Sequence, residues 1–222
     1  MNRPVLHDEE LDKLRVLLVD MFYTVDQQLN EAIDALFHRD EQRAAVVRRR
    51  EKKVDALELE IDQQCELILS IEHPVGADLR ELFGIIKANK DLERIGDYSA
   101  NLAKYTPHLL RLPETFFSRT HVVELSEQIR TLHADVSRAF LAGDAEAARS
   151  LLLRDDEIDA VHEKAFNKIS ELGKLHPEHA PELAYLLHVA RSFERIGDHL
   201  INIAEFVIFK VEGEDVRHRQ AD

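Results

Sequence analysis

Apolar residues recur along this chain at the three- and four-residue spacing of α-helices, and clusters of Pro and Gly interrupt the pattern. Leu14, Leu18, Met21 and Val25, for example, would line one face of a long first helix. The pattern predicts six helices, which span residues 8–38, 40–71, 77–106, 114–142, 144–173 and 179–212. Helices of this length with short connections are typical of an all-α bundle.

The chain also contains an internal repeat. Residues 81–105 and 182–206 are identical at nine of 25 positions at a constant offset of 101, and both contain the pentapeptide Glu-Arg-Ile-Gly-Asp. Duplication of a three-helix unit is the simplest explanation. We therefore predict two tandem three-helix bundles related by pseudo-twofold symmetry, the first in residues 1–110 and the second in residues 111–222.

Composition narrows the class of protein. The formal net charge of −14 disfavours binding to nucleic acid or to an anionic lipid surface, since both repel an acidic chain. With Cys65 as the single cysteine, an intrachain disulfide is impossible. The N-terminal residues lack the apolar segment of a signal peptide, and no window resembles a membrane-spanning helix. We expect a soluble cytoplasmic protein.

Paired carboxylates are the main chemical feature of the repeat. Glu93 and Asp97 lie four residues apart on the predicted third helix, and Glu194 and Asp198 do so on the sixth. Residues at this spacing share a helix face, so each pair directs two carboxylates to one place. Asn101 and Asn202 lie one turn further along. Such a row of hard oxygen donors suits Mg²⁺, Mn²⁺, Ca²⁺ or iron.

The neighbouring helix of each repeat offers further carboxylates. Antiparallel packing of the second helix on the third, and of the fifth on the sixth, would bring them opposite the paired carboxylates. Their mutual repulsion would then require a cation or raised pKa values. The candidate ligands on these helices are Glu51, Asp55, Glu58 and Asp62 in the first repeat and Asp155 and Asp159 in the second.

A glycine lies inside each motif, at positions 96 and 197. Glycine within a helix costs about 1 kcal/mol relative to alanine, so its recurrence predicts the close approach of a neighbouring backbone. The residues alone also allow a simpler interpretation, in which the acidic faces form ordinary salt bridges with nearby basic side chains. The candidate partners are Lys90, Arg94, Arg191 and Arg195.

The chain resembles the PhoU family, the accessory and regulatory proteins of bacterial phosphate-specific transport. The resemblance extends through nearly the whole chain. The segments that carry it are Glu51-Lys52-Lys53-Val54, Ile61-Asp62, Ala77-Asp78-Leu79-Arg80, Asp91-Leu92-Glu93-Arg94-Ile95-Gly96-Asp97, Ala190-Arg191-Ser192-Phe193-Glu194-Arg195-Ile196-Gly197-Asp198, Asn202-Ile203-Ala204-Glu205-Phe206 and Gly213-Glu214-Asp215-Val216-Arg217-His218.

The resemblance implies two three-helix bundles that bind iron, zinc, manganese or magnesium through the repeated motif. By position it assigns Glu93, Asp97, Glu194 and Asp198 as ligands, and the matching pattern on the neighbouring helices is filled by Glu51, Asp55, Asp155 and Asp159. The second repeat departs from the first, because His162 and Phe166 stand where the first has Glu58 and Asp62. Its site should therefore contain fewer carboxylates.

The resemblance also implies a function. It predicts a negative regulator of phosphate uptake and of the phosphate-starvation response, without enzymatic activity. Such a protein docks on the ATPase of the phosphate ABC transporter and on the phosphate-sensing histidine kinase, reaches the membrane only through these partners, and forms a homodimer. The alternative is a carboxylate-bridged metalloenzyme. Di-iron bundle enzymes use Glu-x-x-His pairs, however, and Gly96 and Gly197 occupy the histidine positions here.

Overall fold

The computed structural model describes residues 5–216, with side chains from residue 9, and this part of the chain is almost entirely helical. Residues 217 and 218, which contribute to the sequence resemblance, lie outside the described part. The prediction of an all-α fold is confirmed. The eight α-helices of the described part are α1 Val5–His38, α2 Glu41–Glu72, α3 Ala77–Tyr105, α4 Glu114–Arg119, α5 Val122–Ala142, α6 Ala145–Leu151, α7 Arg154–Leu175 and α8 Ala180–Glu212.

The first repeat is a bundle of the three long helices α1, α2 and α3, each in contact with the other two. Their apolar faces meet in a fully buried core that includes Met21, Leu29, Ile61 and Leu92. The start of α2 is fixed by a capping side chain. The Asp40 side chain accepts a hydrogen bond from the Arg43 amide at 2.9 Å, which caps the first turn.

In the second repeat α5, α7 and α8 are the long helices, and the short α4 and α6 precede α5 and α7. The prediction of single helices over 114–142 and 144–173 is therefore wrong in detail. The first breaks where His121 adopts a left-handed φ of 56° and the buried Thr120 hydroxyl donates to the Phe116 carbonyl at 2.8 Å. The second breaks in a two-residue turn at Leu152 and Leu153, which separates α6 from α7.

The two repeats join mainly through α3 and α8, which pack in antiparallel directions. Glu81 near the start of α3 pairs with Lys210 near the end of α8 at 3.0 Å. Near the middle, the rings of Tyr98 and His199 lie 5.8 Å apart. Tyr98 and His199 occupy equivalent positions of the repeat, so this contact is the one expected across a pseudo-twofold axis. The exact division of the chain after residue 110 stays a prediction.

None of the described helices combines the length and apolar character needed to cross a membrane. This agrees with the absence of such a segment from the hydropathy pattern.

Candidate functional site: two acidic clusters

The first acidic cluster, which we define as Glu51, Glu58, Glu93 and Asp97, lies where α2 packs antiparallel to α3. A lysine side chain lies between the carboxylates of the two helices. The Lys90 ammonium donates to Glu58 Oε1 on α2 at 3.0 Å and to Glu93 Oε2 on α3 at 2.9 Å. These hydrogen bonds, the one to Glu93 first, raise the pKa of Lys90. The predicted approach of carboxylates from both helices is thus present, with an ammonium between them.

Arg94 covers the other part of the first acidic cluster. Its guanidinium lies 3.2 Å from Asp97 Oδ2 and 3.5 Å from Glu93 Oε2. Burial, followed by the charge of Glu93, raises the pKa of Asp97; Arg94 opposes this effect and Glu51 adds to it. Asp97 is thus partly buried and paired with Arg94, with the carboxylates of Glu93 and Glu51 nearby.

The remaining candidates of the first repeat lie at the edges of this arrangement. The buried Asn89 amide donates to Asp62 Oδ1 at 3.0 Å and to the Glu58 carbonyl, which ties Asp62 to α3 one turn away from the cluster. Asp55 is exposed. Asn101 accepts a hydrogen bond from Lys104 at 3.3 Å.

The second acidic cluster, defined as Asp155, Asp159, Glu194 and Asp198, lies where α7 packs on α8. Burial raises the pKa of Asp155, and the charges of Asp159 and Asp198 add to it. Burial and then Glu194 raise the pKa of Asp198, against the effect of Arg195. Carboxylates from both helices therefore repel one another across this contact.

Arg195 is the basic residue that pairs with the second acidic cluster in the described part of the chain. Its guanidinium donates to Asp198 Oδ2 at 2.8 Å. It also lies 3.3 Å from Glu194 Oε2, but does not direct an N–H at that oxygen, which is buried and accepts no hydrogen bond. The simpler interpretation of salt-bridged faces thus holds for Lys90, Arg94 and Arg195, whereas Arg191 forms no ion pair within the described residues.

Asn202 does not extend the second acidic cluster. Its amide donates to Asp91 Oδ1 of α3 at 3.3 Å, and His199 lies 2.7 Å from the same oxygen. Asn202 therefore belongs to the α3–α8 contact between the repeats. Its counterpart Asn101 faces Lys104 instead, so two residues equivalent by sequence have different environments.

The glycines of the motif allow close packing, although the neighbours are side chains rather than the predicted backbone. A Cβ on Gly96 would lie 3.1 Å from Val54 Cγ1 and 3.3 Å from Gln28 Oε1. A Cβ on Gly197 would lie 3.3 Å from Ile158 Cγ2. Sequence reasoning missed Gln28, which is fully buried and donates to the Gly96 carbonyl at 3.1 Å. A glutamine among the apolar positions of α1 was the available signal.

Sequence reasoning also missed Asn89, although it lies one turn before Glu93 on the same face of α3. Its side chain is buried and joins α3 to Asp62 and to the backbone of α2. A buried amide must find hydrogen-bond partners, so it fixes the register of α2 against α3 and thereby the position of the first acidic cluster.

The donor set is the observation that bears on metal binding. In the described residues, no three His, Cys, Asp or Glu side chains are arranged to hold one ion. The oxygens present are hard ligands, which is the type that Mg²⁺, Mn²⁺ or iron prefers. The residues therefore match a hard cation in ligand type but are not arranged around one point. Glu58, Glu93 and Asp97 pair with Lys90 and Arg94, and Asp198 pairs with Arg195.

Comparison with known proteins shows to which family the chain belongs. The family model for the PhoU domain matches twice, over residues 18–106 and 122–207. This chain belongs to the PhoU family. It is 34% identical over 209 residues to a phosphate-specific transport system accessory protein PhoU homolog of Pseudomonas putida, covering 94% of this chain and 82% of that one. It is 32% identical to Escherichia coli PhoU, covering 96% and 88% of the two chains.

Solved PhoU structures share the fold. The crystal structure of PhoU from Pseudomonas aeruginosa superposes with a TM-score of 0.87 at 30% identity, over 93% of this chain and 99% of that one. The phosphate transport system regulatory protein PhoU from Streptococcus pneumoniae gives 0.83 at 25% identity, over 95% and 99%. These relatives are named as accessory or regulatory proteins, which agrees with the expectation that this PhoU protein is not an enzyme.

Proposed function

We propose that this protein is an accessory protein of a phosphate-specific transport system, and that it acts in the cytoplasm as a negative regulator of phosphate uptake and of the phosphate-starvation response. The observation that carries the proposal is the match to PhoU proteins along almost the entire chain, with an acidic cluster at the same place in both repeats. A shared fold alone would not support a role, whereas a duplicated chemical feature on that fold does.

The protein works by docking in this proposal. Its partners are the ATPase of the phosphate ABC transporter and the phosphate-sensing histidine kinase, and a homodimer is the working assembly. The net charge of −14 opposes direct contact with anionic lipid, so the protein reaches the membrane only through these partners. Regulation requires that a ligand bind two states unequally, and a metal ion at the acidic clusters is the proposed ligand.

Metal binding would involve the residues of both clusters. Glu51, Glu93 and Asp97 would hold an ion in the first, and Asp155, Asp159, Glu194 and Asp198 would do so in the second. A bound Fe, Zn, Mn or Mg ion would neutralise the facing carboxylates and fix the packing of α2 on α3 or of α7 on α8. The support is the type of ligand, since carboxylates of α2 lie close to those of α3 and carboxylates of α7 close to those of α8, and hard cations prefer such oxygens.

A complementation experiment tests the regulatory role. A bacterium that lacks its own PhoU protein and carries an alkaline phosphatase reporter of phosphate starvation should express the reporter even in high phosphate. The wild-type chain should restore repression. A Glu194→Gln, Asp198→Asn double variant should restore it poorly if the clusters act in signalling, whereas Glu60→Gln, an exposed residue of α2 outside both clusters, should behave as wild type. Failure of the wild-type chain to repress would refute the role.

Docking has a separate test. The tagged chain should co-purify with the transporter ATPase and with the histidine kinase from cells grown at high phosphate. Light scattering on the purified chain should give twice the monomer mass of 25.6 kDa if the homodimer forms. Absence of both partners from the purified material would contradict the docking mechanism even if the reporter were repressed.

A further inference from the structure

The outer faces of α2 and α7 differ in charge, although the two helices have equivalent places in the repeat. One ion pair in each repeat shows the equivalence. Arg50 of α2 pairs with Glu31 of α1 at 3.0 Å, and Arg154 of α7 pairs with Asp135 of α5 at 3.3 Å. The two arginines correspond in the repeat, and so do their partners. The residues around each arginine can therefore be compared position by position.

On α2 the outer face is basic. Arg49 and Lys52 are exposed and Arg48 is partly exposed, and none of the three forms an ion pair within the described part of the chain. We call these three residues the basic face. The adjacent Arg50 and Lys53 instead pair with carboxylates of α1. The chain has a net charge of −14, so carboxylates are plentiful, yet the described part of one copy places none against the basic face.

On α7 and in the turn before it, the equivalent positions are apolar or acidic. Leu152 and Leu153 stand where α2 has its two arginines, and Asp156 stands where it has Lys52. Leu153 is 73% exposed. Asp156 and Glu163 are exposed and form no ion pair among the described residues. We call Leu153, Asp156 and Glu163 the acidic face. The second repeat keeps the helix packing without any basic face, so the fold itself does not require one.

The two faces are complementary in the order of their residues as well as in charge. On α2, Arg49 comes about three turns before Leu59, which is 60% exposed. On α7 the order is reversed, because Leu153 comes about three turns before Glu163. Antiparallel packing of the two helices would therefore bring the leucines together and Arg49 close to Glu163 at the same time. Exposed ion pairs contribute little alone, and burial of the two leucines supplies an apolar contribution.

We propose that the basic face of α2 binds the acidic face of α7 in a second copy of this chain. The proposal rests on the homodimer of the proposed function and assigns a surface to it. Within one copy, α2 packs on α1 and α3 whereas α7 packs on α5 and α8, so the two faces lie in different repeats and both are open to solvent. The contact joins two different surfaces and is heterologous, so further copies add at higher concentration unless a ring closes.

Sedimentation velocity of the full-length chain over a range of concentrations, with chelator present, tests the contact. The wild type should self-associate. Arg49→Glu, Lys52→Glu should weaken this association by about tenfold or more, and so should Asp156→Lys, Glu163→Lys, because each double variant places like charges opposite one another. An equimolar mixture of the two double variants should associate again, since one then has two acidic faces and the other two basic faces.

Net charge is controlled in two ways. Lys13→Glu, Lys174→Glu makes the chain as acidic as the first double variant, at two exposed lysines outside both faces that form no ion pair in the described chain. It should associate as the wild type does. Asp156→Lys, Glu163→Lys makes the chain less acidic, so general repulsion between copies cannot explain a loss of association there. Circular dichroism melts show whether each variant is folded.

The contact is overturned if the two double variants associate as the wild type does, or if their mixture stays monomeric; the homodimer of the proposed function then stands on any association of the wild type. A wild type that is monomeric at every concentration rejects both the contact and the homodimer, and the reporter experiment decides the regulatory role separately. If Arg49→Glu, Lys52→Glu kept its self-association but lost the ATPase or the kinase in co-purification, the basic face would belong to that partner and the contact between copies would be wrong.

Discussion

The motif glycine Gly96 offers a sharp test of the packing. An added Cβ would lie 3.1 Å from Val54 Cγ1 and 3.3 Å from Gln28 Oε1, both tighter than ordinary van der Waals contact. Neither neighbour can move easily. Val54 is buried and β-branched, which restricts its χ1, and the buried Gln28 is held by its hydrogen bond to the Gly96 carbonyl.

The expected effect of Gly96→Ala combines two opposing contributions. Alanine improves helix propensity by about 1 kcal/mol, whereas overpacking of a rigid core site costs about 1–3 kcal/mol. We expect a net loss of about 1 kcal/mol in the free energy of unfolding. For a chain of this size this corresponds to a fall of about 2–4 °C in Tm.

Gly173 of α7 is the matched control. It lies within a helix near its end, and a Cβ there would meet nothing within 4 Å. Gly173→Ala should therefore raise the free energy of unfolding by about 0.5 kcal/mol through propensity alone. Urea denaturation followed by far-UV circular dichroism, with chelator present, measures both variants. If Gly96→Ala proved as stable as Gly173→Ala, the close contact of α3 with Val54 and Gln28 would be refuted.

Three further predictions address charge, thiol chemistry and capping. Because burial and neighbouring carboxylates raise the pKa of Asp155, the folded state binds its proton more tightly than the unfolded chain, and stability falls as pH rises between the two pKa values. Metal-free Asp155→Asn should thus be more stable than wild type at neutral pH, and this gain should vanish near about pH 3 in pH-dependent melts. Burial raises the pKa of Cys65 to about 12, so Ellman's reagent should find no reactive thiol in the native protein and one after unfolding in urea; rapid native labelling would contradict the burial. Asp144→Ala should lower stability by about 1 kcal/mol because the Ala147 amide loses its acceptor at 2.9 Å, and Asp144→Asn, which keeps an acceptor, should cost much less in the same urea titration.

Periodicity and repetition were sufficient to predict the long helices, because burial of an apolar face constrains every third or fourth residue. They did not predict the breaks within the second repeat. The turn at Leu152 and Leu153 consists of apolar residues that continue the helical spacing. At the other break, the left-handed conformation is adopted by His121, where the sequence has no glycine to signal it. Local propensity is a weak guide to where such breaks fall.

The acidic clusters were predictable to the same extent. The four-residue spacing placed Glu93 beside Asp97 on one face, and antiparallel packing then brought Glu51 and Glu58 of α2 towards them. The partner that each polar side chain selects was not predictable. Asn202 has the same place in the repeat as Asn101, yet it donates to Asp91 across the α3–α8 contact, a contact that only the relative position of the two bundles creates.

This limit explains how one duplicated motif can acquire two behaviours. A helix face is determined by spacing within a segment, so Glu-Arg-Ile-Gly-Asp creates the same paired carboxylates in each repeat. The ion pairs of these carboxylates also depend on the neighbouring helix. Glu58 in the first repeat gives Lys90 a carboxylate to pair with, whereas His162 stands at the corresponding position of the second repeat. Divergence of the neighbouring helix can therefore alter the ion pairs of the repeat while leaving the pentapeptide intact. Lys90 bridges Glu58 and Glu93, whereas Arg191 at the equivalent position forms no ion pair within the described residues.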